Sequence, residues 1–318
     1  MFPNTPNGYV VGAYPASPAH KSWLPQSEKL FFAELEKDER IAALELPWMG
    51  SLHPHDDSWF LENFPTRWSA VITDIPFVMS RLAQNGNYGL ASRDKHARRQ
   101  AMHELALIPN TIKKFDDATG MKTVIAVEIH SAPSKLGDID AFSQSLLEIG
   151  EWDWSGAELL IEHCDAHLEH QNPEKGFMTL VDEIRAIEIA QVPIRILLNW
   201  GRSAIEFRNA AKVVEHISTT YESGYLAGII FSGASQEDGA FGRAWVDAHH
   251  PFCKSDQNPF GDPASLLTLD RARQALEHSN SLDYLGIKMG WRPDLFGSIE
   301  DRAAMISSAL DSLDSVRH

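Results

Sequence analysis

About eight short apolar runs, each followed by an amphipathic stretch, pace the chain from Tyr9 to Met289. They cover 9–14, 41–47, 69–74, 123–130, 158–164, 193–199, 226–232 and 284–289. Strands that alternate with helical patterns imply parallel βαβ units. Eight such units predict a closed (β/α)8 barrel, with residues 1–318 forming one domain. The C-terminal strand ends of such a barrel hold the active site. Here those ends carry Glu45, Asp74, Glu128 with His130, Glu162, Asn199, Ser232 and Lys288.

Between the runs, the pattern predicts helices from Ser27 to Leu35 and over 93–115, 139–149, 177–189, 204–217, 265–276 and 299–313. The second of these carries one continuous stripe of Ala97, Ala101, Leu105, Ile108, Ile112 and Phe115. Pro109 falls inside it and predicts a kink, because it lacks an N–H and crowds the preceding turn. The stretch 233–263 has Gly, Asp, His and Pro throughout and little periodicity. A loop this long in a compact domain is usually functional or disordered. Leaving the barrel at its catalytic end, it reads as a lid or specificity loop.

Composition narrows the classes. The chain has 318 residues, 43% of them hydrophobic and 23% charged, which is ordinary for a globular protein. A formal net charge of −16 argues against a nucleic-acid-binding surface, which needs clustered Lys and Arg. Two cysteines, Cys164 and Cys253, make no disulfide framework. No apolar stretch approaches the roughly 20 residues of a membrane span, and no secretory apolar core stands near the beginning. The expectation is a cytoplasmic enzyme or binding protein, with a homo-oligomer left open.

Several clusters could carry chemistry. Strand residues alternate faces, so Glu128 and His130 point the same way. They read as an acid/base or ligand pair at the mouth, or as a hydrogen-bonded pair that fixes the loop. In Glu162-His-Cys-Asp-Ala-His167 the residues cannot all converge on one ion. Glu162 is the candidate there, with His163 as substrate contact or support. Asn199-Trp-Gly-Arg202 suits a polyol or an anion through several donors. Trp200 could offer a ring face to a sugar or simply fill core. Asp247 and His249 in the long loop have ligand chemistry suited to Zn²⁺ or Mn²⁺. The stretch from His53 to Asp57 reads as a solvated loop. Lys288 lies in an otherwise apolar strand, so it must be paired or lose its proton through desolvation. It could be an electrophilic anchor, a general acid, a Schiff-base amine, or a salt-bridge partner of Glu162 or Glu128. No nucleotide, P-loop or serine-esterase motif is present.

The order of these strand ends resembles the xylose isomerase-like TIM-barrel superfamily of sugar isomerases, keto-sugar epimerases and zinc-dependent AP endonucleases, here as a bacterial offshoot. Leu160-Ile-Glu-His163 resembles the strand-five segment ending in that superfamily's metal-binding Glu. Val127-Glu-Ile-His-Ser131 and Asp247-Ala-His249 resemble segments of the endonuclease branch. In the isomerases and epimerases, Glu, Asp, His and Glu at the ends of strands five to eight hold Mn²⁺ or a similar ion. The matching positions here are Glu162, Asn199, Ser232 and Lys288. An ammonium repels a divalent cation, and Asn and Ser are poor replacements for anionic ligands. No ion is therefore expected at the barrel centre; the alternative is Zn or Mn held by Glu162, His130, Asp247 and His249.

The resemblance implies a carbohydrate-processing isomerase or epimerase acting on a small sugar or sugar acid, while the acidic charge and the lack of an apolar span argue against nucleic acid and membrane. Glu128 and Glu162 are its candidate acid/base groups, and Lys288 takes over the metal's task. Glu45, His130, His163, Asn199, Trp200, Arg202, Asp247 and His249 are candidate substrate contacts. Two rivals stand beside it: a Schiff-base lyase or aldolase using Lys288, and a sugar-binding barrel that has lost catalysis.

Overall fold

The β-branched runs form eight parallel strands in a computed structural model that describes residues 7–20, 22–256, 258–279, 281–292 and 297–317. They are β1 (Tyr9–Gly12), β2 (Ile41–Pro47), β3 (Ser69–Thr73), β4 (Val124–Ile129), β5 (Glu158–His163), β6 (Arg195–Asn199), β7 (Leu226–Phe231) and β8 (Tyr284–Lys288). Each pairs with its sequence neighbour, and β8 returns to β1, which closes the (β/α)8 barrel. Both faces of every strand are covered, which is why the runs are almost continuously apolar. Val10, Ala43, Val71, Ala126, Leu160, Leu197 and Ile230 form the inner cluster. Their strand neighbours Val11, Leu44, Ile72, Val127, Ile161, Leu198 and Phe231 belong to the larger outer core beneath the helices. The lower end is shut by polar groups: Tyr284 donates to Glu158 at 3.0 Å, and Arg195 bridges Glu158 and Asp283 at 2.6 Å each.

The surrounding helices are α1 (Pro25–Leu35), α2 (Asp57–Asn63), α3 (Ile75–Leu82), α4 (Lys95–Leu105), α5 (Leu107–Thr119), α6 (Ile139–Gly150), α7 (Leu180–Ala190), α8 (Trp200–Phe207), α9 (Val213–Glu222), α10 (Leu269–Glu277) and α11 (Ile299–Arg317). Two expected helices are each divided. The stripe over 93–115 breaks at Ala106 into α4 and α5 rather than kinking. Pro109 then lies in the first turn of α5, where its missing N–H costs nothing. The expected helix over 204–217 is α8 and α9. Arg208 takes a left-handed conformation (φ 48°), and Asn209 caps a new turn by accepting from Ala211 N at 3.0 Å. Asn and Asp favour such caps because their side chains satisfy orphan N–H groups. None of the described helices is long and apolar enough to cross a membrane.

The described residues of the stretch 233–263 form no helix or strand, yet the stretch is tied down. Gly233 and His250 exchange backbone hydrogen bonds, and Gly290 N donates to His249 O at 2.7 Å. The loop therefore sits against the ends of β7 and β8.

Closure of the barrel depends on close approach at Gly286. A Cβ added there would lie 1.8 Å from the Val10 carbonyl oxygen on β1. Overpacking of this kind costs roughly 1–3 kcal/mol and sometimes more. Gly286→Ala should lower the unfolding free energy in a urea titration by at least that amount; an unchanged curve would contradict the β1–β8 seam.

Candidate active site

The pleat sends Glu45, Glu128, Glu162, Asn199 and Lys288 toward the axis at the C-terminal end of the barrel. All five are buried. Lys288 makes a very short ion pair with Glu45 and stands 3.9 Å from Glu162. Its ammonium also lies 5.1 Å from the centre of the Tyr14 ring. Gly12 makes room for this pair: a Cβ there would fall 2.7 Å from Lys288 Cγ and 3.1 Å from Glu45 Oε2.

Glu162 is the hub. His130 donates from Nε2 to Glu162 Oε2 at 2.9 Å and from Nδ1 to Asp74 Oδ1 at 2.5 Å. With a carboxylate on each nitrogen, the ring is an imidazolium. Arg202, on α8, approaches Glu162 Oε1 at 2.5 Å, out of line for a hydrogen bond, so the contact is Coulombic. Arg202 Nε donates to Asp247 at 3.0 Å, and Lys175 Nζ donates to the same carboxylate at 2.8 Å. His249 stands 3.3 Å from Asp247 and 3.0 Å from Ser232 Oγ. The long loop thus delivers Asp247 between two cations.

These contacts divide the proton affinities. Burial disfavours charge on every group, but Arg202, Lys288 and His130 hold Glu162 well below the usual carboxylate range. Burial likewise works against Lys288, but Glu45, Tyr14 and Glu162 together outweigh it and raise the lysine. Glu128 goes the other way. Burial, reinforced by Glu162 and Glu45, pushes its carboxyl well above the usual range. Burial lowers His249 to about 3, so its ring is neutral. Four acidic groups (Glu45, Asp74, Glu162 and Asp247) pair with four basic ones (Lys288, His130, Arg202 and Lys175). Glu128 makes no such pair among the described residues.

Several polar atoms of this cluster have no hydrogen-bond partner among the described residues: both carboxyl oxygens of Glu128, Oε2 of Glu45 and Nδ2 of Asn199. The other end of Asn199 is committed. Its Oδ1 caps α8, accepting from Gly201 N at 3.1 Å and Arg202 N at 3.3 Å.

Not every predicted residue reaches the mouth. His163 is on the opposite face of β5, bonded to Glu183 on α7 at 2.7 Å and Glu206 on α8 at 3.1 Å. Strand alternation separates it from Glu162. Trp200 is buried in the outer core as the first residue of α8, the filler alternative. His53 is buried rather than solvated, 4.6 Å from Trp23 and 5.8 Å from Phe60 between ring centres. Three contributors are not marked as site residues by the sequence pattern: Asp74, Lys175 and Tyr14. Asp74 is visible as a strand-end carboxylate, but its pairing with His130 is not. Lys175 lies in the loop after β5 with no periodicity to mark it, and Tyr14 follows β1 by two positions.

The donor set does not fit a divalent ion at the barrel centre. The positions matching the isomerase ligands hold one carboxylate, an amide, a hydroxyl and an ammonium. Both oxygens of Glu162 already face cations or His130. Arg202 stands between Glu162 and Asp247, so the set Glu162, His130, Asp247 and His249 is bridged by a guanidinium.

Comparison with known proteins agrees with this architecture. The barrel superposes on D-allulose 3-epimerase from Methylomonas sp. with D-allulose bound, with a TM-score of 0.60 and 11% identity, covering 100% of this chain and 99% of that one. It matches a xylose isomerase domain protein of Salmonella typhimurium LT2 at 0.59 and 10% identity, over 96% of each chain. The zinc-containing IolI protein gives 0.59 and 10%, covering 97% and 99%. The fold is that of the xylose isomerase-like TIM barrels. In sequence, an uncharacterised protein of Salmonella typhimurium strain LT2 is 36% identical over 289 residues, 89% of each chain. A family model spans residues 10–305. This chain belongs to the family described as "Domain of unknown function (DUF4862)".

Proposed function

We propose that the protein is a sugar isomerase or epimerase that moves a proton beside a carbonyl with its own side chains instead of a barrel-centre metal. The observation that carries this reading is Glu128: a fully buried carboxyl with both oxygens unpartnered, facing Glu45, Glu162 and Lys288. A buried polar group without a partner is costly, and a ligand with hydroxyl groups would satisfy it. The sugar-processing class is supported by the xylose isomerase-like neighbours, one of them holding D-allulose.

Glu128 is the proton-transfer group. Once deprotonated, a carboxylate with raised proton affinity is a stronger base than an ordinary one. Lys288 is the electrophile, donating from its ammonium to the oxygen that gains charge as the enediolate forms. A preorganised cation away from water is the kind of group that dominates such steps. Asn199 Nδ2 and Glu45 Oε2 are free to meet substrate hydroxyls. The Schiff-base alternative fares worse, because it needs a neutral amine and Glu45 keeps Lys288 protonated. The mouth's cations are each matched by a carboxylate. A neutral sugar therefore fits better than a sugar acid, which would need a spare cation.

The direct test is solvent exchange. Aldoses and ketoses, D-allulose included, incubated with the protein in D₂O should gain deuterium at the carbon beside the carbonyl, read by proton NMR. Glu128→Gln should abolish the exchange. Saturable sugar binding with no exchange would instead make this a binding barrel.

Lys288→Met keeps the stem volume and removes the charge. Turnover should fall about a hundredfold or more, the rate equivalent of roughly 3 kcal/mol. Removing one partner of a buried pair also costs stability, roughly 3–5 kcal/mol. Lys288→Met with Glu45→Gln should recover much of that loss without recovering the rate. A Lys288→Met protein that melts early yet turns over normally would return the lysine to scaffolding.

Glu128 also sets a pH dependence. Its folded-state proton affinity is raised above the unfolded value of 4.5. Between these two values the native protein binds more protons than the unfolded chain, so stability falls as pH rises through that window. Glu128→Gln removes this term. The variant should match the wild type near pH 4 and exceed it at pH 7–8 in urea midpoint. Parallel curves across the whole range would show that Glu128 ionises normally.

A further inference from the structure

We propose that the outer face of the barrel holds a structural zinc ion between β5, α8 and α9, bound by His163, Glu206 and His216. Among the described residues, these three bring one ligand atom each to within 4.8 Å of one another. Glu206 straddles the two rings: Oε2 is 3.1 Å from His163 Nε2 and Oε1 is 3.4 Å from His216 Nε2. Metal–ligand bonds of 2.0–2.1 Å in a tetrahedron put neighbouring donors about 3.3 Å apart. Charge-assisted hydrogen bonds are shorter, roughly 2.7–2.9 Å. The contact of His163 Nδ1 with Glu183, at 2.7 Å, is of that kind; the inner contacts are not.

The surroundings are those of a metal site. Each histidine has its other nitrogen fixed: His163 Nδ1 faces Glu183, and His216 Nδ1 faces Ser203 Oγ at 3.0 Å. Such partners set ring orientation and raise ligand basicity in zinc proteins. Glu183 is itself held, accepting from Ser131 Oγ at 2.5 Å. Charge agrees as well. Two buried carboxylates, Glu183 and Glu206, are balanced by one divalent cation with both imidazoles neutral, the form that binds metal. The second Glu206 oxygen can complete four-coordination. The three ligands are buried, which marks the closed, structural kind of site rather than a catalytic one.

This site is separate from the barrel mouth and does not depend on the proposed reaction. Its place gives it a task. His163 follows Glu162 directly, and Ser131 follows His130. An ion here would pin the ends of β4 and β5 from behind.

The test is metal analysis of the full-length protein produced with zinc in the medium. We expect about one zinc per chain in the wild type and in Glu162→Gln, and a loss of at least about tenfold in His216→Ala and Glu206→Gln. X-ray absorption at the zinc edge of the wild type needs no variant to fold. It should show nitrogen and oxygen neighbours at about 2.0–2.1 Å, with imidazole scattering and no sulfur. Chelator should lower the wild-type melting temperature. Protein without zinc, or zinc lost in Glu162→Gln but kept in His216→Ala, would overturn the assignment.

Discussion

A lysine ammonium with no solvent exposure is the constraint around which the barrel mouth is organised. Taking such a charge out of water costs several kcal/mol even after relaxation, so it must be paired with good geometry. Glu45 supplies the pair, and Gly12 supplies the space for it. The demand then propagates. Glu162 is shared by Lys288, Arg202 and His130. Arg202 calls for Asp247, Asp247 also takes Lys175, and His130 takes Asp74. Each step satisfies one charge and introduces another, until the count balances.

That balance leaves Glu128 outside it. A fifth charged carboxylate there would be unpaired in a dry site, and burial beside Glu162 and Glu45 pushes the proton affinity of Glu128 well above the usual range. The same arithmetic explains why a divalent ion fits badly at the barrel centre. In the isomerase arrangement, several anionic ligands are neutralised by the metal. Here Lys288, Arg202 and His130 already neutralise what remains, and a further two charges would meet repulsion. Two carboxylates on adjacent strands thus acquire opposite characters from their neighbours alone, the pattern by which acid and base roles are divided.

The barrel is legible in the sequence because its strands are buried on both faces and its helices on one. Those two periodicities place all eight runs within a few residues of their observed bounds. Strand-end position likewise marks Glu45, Glu128, Glu162 and Lys288 as neighbours at one end of the barrel. Their partners are less legible, since pairing depends on strand tilt and loop path. Asp74 and His130 are 56 positions apart, and Glu45 and Lys288 are 243 apart. Lys175 and Asp247 meet through two irregular loops that no period describes. His163 shows the opposite failure. Adjacent to Glu162, it looks like part of the same cluster, although a one-residue step along a strand reverses the side chain. Trp200 misleads for a related reason: a residue that opens α8 answers to the helix, not to the strand before it.

The long loop after β7 belongs to the charge network as well as to the surface. Asp247 is the one carboxylate of the balanced set that it carries, and it lies between Arg202 and Lys175. Lifting the loop would strip both cations of their partner, and water would have to take its place. Low dielectric strengthens the electrostatic contacts within, so the Asp247 pairs with Arg202 and Lys175 are strongest with the loop in its present place. The loop's backbone contacts to Gly233 and Gly290 tie it to the ends of β7 and β8, beside the strand ends that carry Ser232 and Lys288.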